Sequence, residues 1–257
     1  MPEHDVALLA DAARAAGTIA LQFWQNAPET WDKHDASPVT EADLAVNDML
    51  QDRLCQARPS YGWLSEETTD TDARFDCEHI FIIDPIDGTR AFIAGEKHFS
   101  HSLAVARNGQ VTAAAIYLPA LDQLYTASAD GPALCNGQPI HSSAKGLADN
   151  ANILTPKVSL AADHWNGQPP QFQRSFRASI AYRLCLVADG SFDGILSFRD
   201  CWEWDIAAGA LIAERAGAMV TDRLNQPLRF NSAKARSSGI FGAAPMLHSD
   251  LIHRMKT

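Results

Sequence analysis

Residues 80–89 read Ile-Phe-Ile-Ile-Asp-Pro-Ile-Asp-Gly-Thr, and this decapeptide constrains the chain more than any other segment. The apolar run 80–83 has the pattern of a buried strand. It ends in Asp84-Pro85-Ile86-Asp87-Gly88-Thr89. Pro85 fixes its own φ and biases Asp84 towards extended backbone, while Gly88 permits a sharp turn or a close approach. Two carboxylates are therefore fixed at the carboxyl end of a strand, with the Thr89 hydroxyl two residues beyond. Oxygen donors of this kind suit a hard divalent cation such as Mg²⁺, whose shell is completed by waters and substrate phosphate. An Asp-x-x-Asp-Gly alone fits an acidic turn after a core strand just as well. The whole hexapeptide behind a four-residue apolar run is much more specific.

One other phosphatase chemistry uses a similar pattern. Haloacid-dehalogenase-type enzymes place Asp-x-Asp-Gly-Thr after an apolar strand and use the first Asp as nucleophile. Here the residue two before Asp87 is Pro85, and Asp84 stands one position too early. An aspartyl-phosphate mechanism does not fit.

The hexapeptide resembles that of the inositol monophosphatase superfamily of metal-dependent, lithium-sensitive phosphatases. Further motifs follow in the same order. Ser37-Pro38-Val39-Thr40-Glu41-Ala42-Asp43 is similar to that family's Ser-Pro-Val-Thr-x-x-Asp, and Ser65-Glu66-Glu67 to its paired glutamates. Trp204-Asp205-Ile206-Ala207-Ala208-Gly209 is similar to its Trp-Asp helix. The resemblance runs from about residue 5 to residue 245, nearly the whole chain.

It implies two or three Mg²⁺ per site. Asp84 would bridge two metals, the Ile86 carbonyl and Glu66 would serve the first, and Asp87 and Asp205 the second. Glu66 would also hold the attacking water. Asp43 would accept a hydrogen bond from Thr89 and orient it towards that water, because a threonine hydroxyl is too weak a base alone. Each assignment has a plainer competitor. Glu66 lies in an acidic stretch with Glu67 and Asp70. Asp205 precedes an apolar-periodic segment and fits an N-cap. Thr40 to Asp43 resembles a capping box with Asp in place of Glu. Lys33 is either a counter-charge near the third metal position or an ordinary solvent-facing lysine. The backbone N–H groups of Gly88 and Thr89 suit a phosphate oxygen where a helix starts near Arg90. His98 and His101 read as structural or surface residues, not ligands.

The chain of 257 residues, 46% hydrophobic and 20% charged, has a soluble globular composition and can bury a sizeable core. The net charge of −10 argues against a nucleic-acid polymer as partner. No apolar run approaches a membrane span, and the N-terminus has no signal-peptide pattern. Five scattered cysteines without a Cys-x-x-Cys read as reduced core thiols of a cytoplasmic protein. A small phosphate ester is the expected partner, with a homodimer as the expected assembly.

Helical periodicity covers residues 5–25 and 40–57. Asn108-Gly109 marks a hairpin between 101–107 and 111–118, and a further strand covers 123–129. Beyond a polar stretch at 141–150 come a strand at 152–155, a poorly patterned segment at 163–173, a helix at 179–188, a strand at 194–198, a helix at 205–216, a strand at 240–243 and a terminal helix. The order is α+β followed by α/β. It suits the family's layered α-β-α-β-α sandwich, with halves 1–141, carrying most metal ligands, and 142–257, supplying Asp205 and substrate contacts.

Substrate choice turns on fewer residues. Arg183 stands where the superfamily's bisphosphate nucleotidases have a Lys and its inositol monophosphatases an Asn. A cation there suits a second phosphate, but it equally reads as a helix-surface charge. The segment 191–203 is about as long as in bacterial bisphosphate nucleotidases. The glutamate that touches a sugar hydroxyl in the inositol enzymes has no counterpart in residues 196–200, which include Arg199, and the nucleotidases' Pro-Arg-Phe is absent too. Arg90 with residues 91–95 resembles histidinol-phosphate phosphatases. The leading substrate is 3′-phosphoadenosine 5′-phosphate, contacted by Asp87, Gly88, Thr89, Ser179, Arg183 and Asp205. Inositol 1-phosphate and then histidinol phosphate are the alternatives, and a non-catalytic phosphate-binding relative comes last.

Overall fold

The computed structural model describes residues 2–26, 28–33 and 37–256. Helix α1 (Pro2–Phe23) starts with proline and carries Glu3 and Asp5 in its first turn, where free N–H groups favour acids. A short hairpin, β1 (Thr30–Asp32) and β2 (Pro38–Thr40), leads into α2 (Glu41–Ala57). There follow β3 (Gly62–Ser65), β4 (His79–Asp87), the single-turn α3 (Thr89–Ile93), β5 (Ser100–Arg107), β6 (Gln110–Leu118), β7 (Gln123–Ser128), β8 (Leu134–Cys135) and β9 (Gln138–Pro139). These seven strands form one sheet in sequence order, antiparallel except for the β3–β4 pair. Asn108 and Gly109, both at positive φ, close the β5–β6 hairpin as their sequence predicts.

The second half contributes β10 (Asn152–Leu154), β11 (Gln173–Ser175), α4 (Ile180–Ala188), β12 (Gly194–Ser197), β13 (Cys201–Trp202), α5 (Glu203–Arg215), β14 (Met219–Thr221), β15 (Arg236–Ser237), β16 (Ile240–Ala243) and α6 (Pro245–Arg254). A five-stranded mixed sheet runs β11-β10-β12-β16-β14.

The layers follow from strand periodicity. Phe81 and Ile83 of β4 join Leu9, Ala13, Val46 and Leu50 of α1 and α2 on one side of the large sheet. Ile80 and Ile82 join Leu184 of α4 and Ile206 of α5 on the other. A strand covered on both faces needs the continuous apolar run seen in the sequence. The helices α4 and α5 also cover Ile195, Val220 and Ile240 of the second sheet, whose far side packs on Leu247 and Leu251 of α6. The result is the expected α-β-α-β-α sandwich. The 141/142 boundary falls between the sheets in sequence, but one apolar cluster joins both across α4 and α5.

Several details differ from the sequence reading. Helix α5 starts at Glu203, so Asp205 is its third residue and not its cap. Strands β3, β11 and β14 are too short or too polar to show a pattern, and pairing with longer neighbours defines them. All five cysteines are free, yet only Cys185 and Cys201 are buried. Among the described helices α1 is long and apolar enough to cross a membrane by length and composition, although no such stretch is expected from the sequence. Its Leu9, Ala12, Ala13, Ala16 and Ala20 are completely buried in the core under the large sheet.

Candidate active site

The site forms where β3 and β4, running parallel, reach their carboxyl ends beside the start of α5. Ser65 pairs with Ile83, and the Glu66 amide donates to the Ile83 carbonyl at 3.2 Å, which sets Glu66 next to Asp84. Asp84 shares the strand face of Ile80 and Ile82, the side on which α5 packs. One oxygen each from Glu66, Asp84 and Asp205 lie within 4.8 Å of one another. The Asp84 side chain is buried, and its Oδ1 has no hydrogen-bond partner among the described residues. Burial pushes Asp84 well above the usual carboxylate range, and Glu66, Asp87 and Asp205 push it further. Burial, then Asp87 and Glu66, do the same to Asp205. Anionic oxygens crowded in a partly desolvated site need a counter-charge. A hard divalent cation supplies one, and the all-oxygen donor set with an orphaned carboxylate atom fits it.

Asp87 is three residues beyond Asp84, and an unbroken strand would point the two to opposite faces. The pairing of β4 with β5 shifts register between Asp84 and Asp87. This bulge returns Asp87 to the site. Pro85 has no N–H to give the ladder, and its carbonyl is held by Nδ1 of the fully buried His101. A carbonyl only accepts, so Nδ1 carries the proton. Burial lowers the imidazole to about 4 against the partial support of that carbonyl, so it is neutral near pH 7. Of the structural and surface readings that the sequence leaves open for His101, the structure shows the structural one.

Asp87 accepts hydrogen bonds from Ser179 Oγ at 2.6 Å and from the Ala181 amide at 2.7 Å. Burial raises it to about 6 despite these bonds. Ser179, assigned above to substrate, is completely buried as the N-cap of α4, and its hydroxyl serves Asp87, Ser100 and the Tyr182 amide. It positions Asp87 instead of facing a ligand. Gly88 caps α3 at φ 95, and a Cβ there would lie 3.2 Å from both the His98 carbonyl and the Ser179 nitrogen, so glycine is required.

Thr89 Oγ lies 3.4 Å from Asp43 Oδ1 and 3.1 Å from the Ile86 carbonyl. It has one proton for two acceptors. Asp43 completes the capping box of α2 through its other oxygen, accepting from the Thr40 amide at 2.8 Å and hydroxyl at 2.6 Å. Capping and site roles are thus divided between the two oxygens of one carboxylate. Burial raises Asp43 to about 6.

Lys33 is not solvent-facing. Its Nζ donates to Glu66 and to Glu67, each at 2.7 Å. Burial opposes its charge, but the two glutamates together hold the ammonium above its usual range. Glu67 is raised to about 7, first by burial and then by Glu66.

The cleft over these groups is about 420 Å³, and Phe176 and Trp202 line it. Trp202 stacks on Trp204 with centroids 4.6 Å apart, and Arg236 sits 3.6 Å above the Trp202 ring. Phe176 and Trp202 carry no sequence signal, because one follows the poorly patterned segment and the other precedes the Trp-Asp motif. Arg199 is exposed. Arg183 is neither a surface charge nor a cleft residue. It is 7% exposed, donates to the Ala178 and Ser179 carbonyls, and lies 4.8 Å from the Phe176 ring centroid. Arg183→Ala should therefore lower stability by roughly 1–3 kcal/mol and slow all esters alike, because the carbonyls and the ring lose their support. Melting curves and kcat/KM on two esters check this; a loss confined to one ester with unchanged melting would contradict it.

A five-layer sandwich that gathers carboxylates from three elements beside a threonine hydroxyl defines a phosphatase with an acidic, cation-type pocket. The chain belongs to the inositol monophosphatase family, which it matches over residues 2–256. It is 35% identical over 200 residues to an inositol-1-monophosphatase of Rhizobium meliloti (strain 1021), with 74% of each chain covered. It is 27% identical over 227 residues to a 3′(2′),5′-bisphosphate nucleotidase of Shigella flexneri, covering 85% of this chain and 90% of that one. The fold matches a Thermotoga maritima IMPase with TM-score 0.83 and 26% identity, over 98% of this chain and 96% of the other.

Proposed function

We propose that the protein is a Mg²⁺-dependent phosphomonoesterase, acting in the cytoplasm on a small phosphate ester, with 3′-phosphoadenosine 5′-phosphate as leading substrate. The observation that carries this reading is the set of Glu66, Asp84 and Asp205 oxygens within 4.8 Å of one another, with an orphaned Asp84 atom among them. Glu66, Asp84, Asp87, Asp205 and the Ile86 carbonyl would hold two or three Mg²⁺. The metal, when bound, supplies a counter-charge for phosphate and acidifies water to a nucleophile near neutral pH.

The remaining work falls to the chain. With the Thr89 proton donated to Asp43, the Thr89 oxygen would be left to accept from the attacking water. The Gly88 and Thr89 amides, at the start of α3, would donate to an oxygen of the incoming phosphate. Ser179, the Ala181 amide and His101 hold the loop 84–89 rigid, so little reorganisation accompanies reaction. Phe176 lines the cleft and offers an aromatic face to a nucleobase, worth on the order of 1–3 kcal/mol per stacked base. That favours a nucleotide over an inositol. The 35% identity to an inositol-1-monophosphatase supports inositol 1-phosphate as the second reading. Free cysteines suit a reducing compartment.

Phosphate release is the test, measured with Mg²⁺ and with EDTA on 3′-phosphoadenosine 5′-phosphate, inositol 1-phosphate and histidinol phosphate. Metal-dependent release, fastest on the bisphosphate, is expected. Preference for inositol 1-phosphate would establish the second reading, and no release from any ester would leave a phosphate-binding relative.

A further inference from the structure

Two buried charged residues have no part in the site so far described. Arg74, in the short 3₁₀ helix Asp72–Asp76, is 2% exposed, and Glu203, the first residue of α5, is 0% exposed. Both close on the same two residues. The Glu203 carboxylate accepts from the Asn231 amide at 2.6 Å and from the Ser232 amide at 2.9 Å. The Arg74 guanidinium donates to the Asn231 side-chain oxygen and, at 2.9 Å, to the Ser232 carbonyl. It also donates to the two Asp70 oxygens, at 2.7 and 2.9 Å.

The bridge joins the two segments that deliver site carboxylates. Asp70 lies four residues beyond Glu66, and Glu203 two residues before Asp205. At the Glu66 end, the 3₁₀ helix packs directly on β3, where a Cβ on Gly62 would lie 3.3 Å from the Arg74 Cα. At the Asp205 end, the Glu203 amide donates to the Ala235 carbonyl at 2.9 Å, and Cys201 and Trp202 pair with Ser237 and Arg236. Residues 231–237 therefore clamp the start of α5. Apolar replacements of a buried ion pair are often no less stable, so stability alone does not account for charges here. What directed hydrogen bonds add is position. Glu66, Asp84 and Asp205 place oxygens within 4.8 Å of one another, and their mutual repulsion pushes the Glu66 segment and α5 apart. Bonds that run from Asp70 through Arg74, Asn231 and Ser232 to Glu203 resist that spreading.

We propose that Arg74 and Glu203 are positioning residues of the cation site, holding the Glu66 segment and the start of α5 at the separation a divalent cation needs and so setting its affinity. This rests on the Mg²⁺-dependent reading above, and assigns part of that affinity to two residues outside the oxygen set.

Calorimetric titration of Mg²⁺ into the metal-free protein reads this without turnover. Arg74→Met and Glu203→Gln should each weaken Mg²⁺ binding by roughly ten- to a hundredfold, the range for groups that orient metal ligands. The double variant should be little weaker than either, because both residues act through Asn231 and Ser232. The Mg²⁺ concentration for half-maximal phosphate release should rise in step, while KM for the ester at saturating Mg²⁺ stays unchanged. If a buried variant fails to fold, Asp70→Asn, at a side chain 40% exposed, frees Arg74 from the Glu66 segment and should weaken Mg²⁺ in the same direction. Leu251→Ala, in α6 on the far side of the second sheet, is the stability control. It should lower the melting temperature and leave Mg²⁺ binding unchanged. Wild-type Mg²⁺ affinity in the folded variants would overturn the positioning role and leave the cation site standing. An equal loss of affinity in Leu251→Ala would also overturn it, by tracing the effect to general stability. Absence of Mg²⁺ binding by the wild type would overturn the Mg²⁺-dependent reading and this inference with it.

Discussion

Asp84→Asn should abolish turnover, by about a thousandfold or more in kcat, while raising the melting temperature of the metal-free protein. The two effects have one cause. Asp84 is a buried carboxylate whose ionised form is opposed by burial and by Glu66, Asp87 and Asp205. Removing its charge relieves that repulsion in the metal-free state and removes the oxygen set that would hold a cation. Added Mg²⁺ should then stabilise the wild type by mass action and the variant little. The same groups set a pH dependence. Asp43 and Asp87 are raised from 3.8 to about 6 and Glu67 from 4.5 to about 7. Folded pKa values above unfolded ones mean that the native state binds the extra protons in this window. The stability they contribute is present below the unfolded values and lost as pH rises through the folded ones. The chelated wild type should therefore melt lower at pH 8 than at pH 5, and Mg²⁺ should lessen the difference. Calorimetric scans with EDTA and with Mg²⁺, run beside a phosphate-release assay, measure all of this. Retained activity in Asp84→Asn, or a fall in its metal-free melting temperature, would defeat the account.

Thr89→Ala and Asp43→Asn should each slow kcat by roughly 10²–10⁴-fold, and the double variant should be little slower than either. The hydroxyl and the carboxylate act as one unit, joined at 3.4 Å across the seam between α2 and the β4–α3 turn. Asparagine at 43 keeps an oxygen for the Thr40 amide, so it preserves most of a cap otherwise worth about 0.5–2 kcal/mol. Kinetics should accordingly collapse with only a modest change in melting. Multiplicative losses in the double variant would show that the two residues act separately.

What the sequence disclosed was local or carried by family motifs. The apolar run 80–83, the Asn108-Gly109 turn and the Thr40–Asp43 box are short-range patterns, and each is present in the fold. Contacts across long sequence distances were hidden. Ser179 reaches Asp87 across 92 residues, and nothing near Ser179 announces it. Arg183 was misread although the signal was present. Its helix is apolar all round, and every residue from Ile180 to Ala188 is buried. A helix with no polar face has no surface on which to place a charge. Phe176 follows a weakly patterned segment and Trp202 precedes the Trp-Asp motif, and both become visible only when the chain closes around the cleft.

The register shift between Asp84 and Asp87 bears on transplantation. Grafting the four letters Asp-Pro-Ile-Asp onto a flat strand of another scaffold would aim the carboxylates in opposite directions. A designer would have to copy the kink, the missing amide of Pro85 and the imidazole of His101 beneath it. The portable unit is a piece of irregular backbone with its support, and the acidic residues are its outward expression.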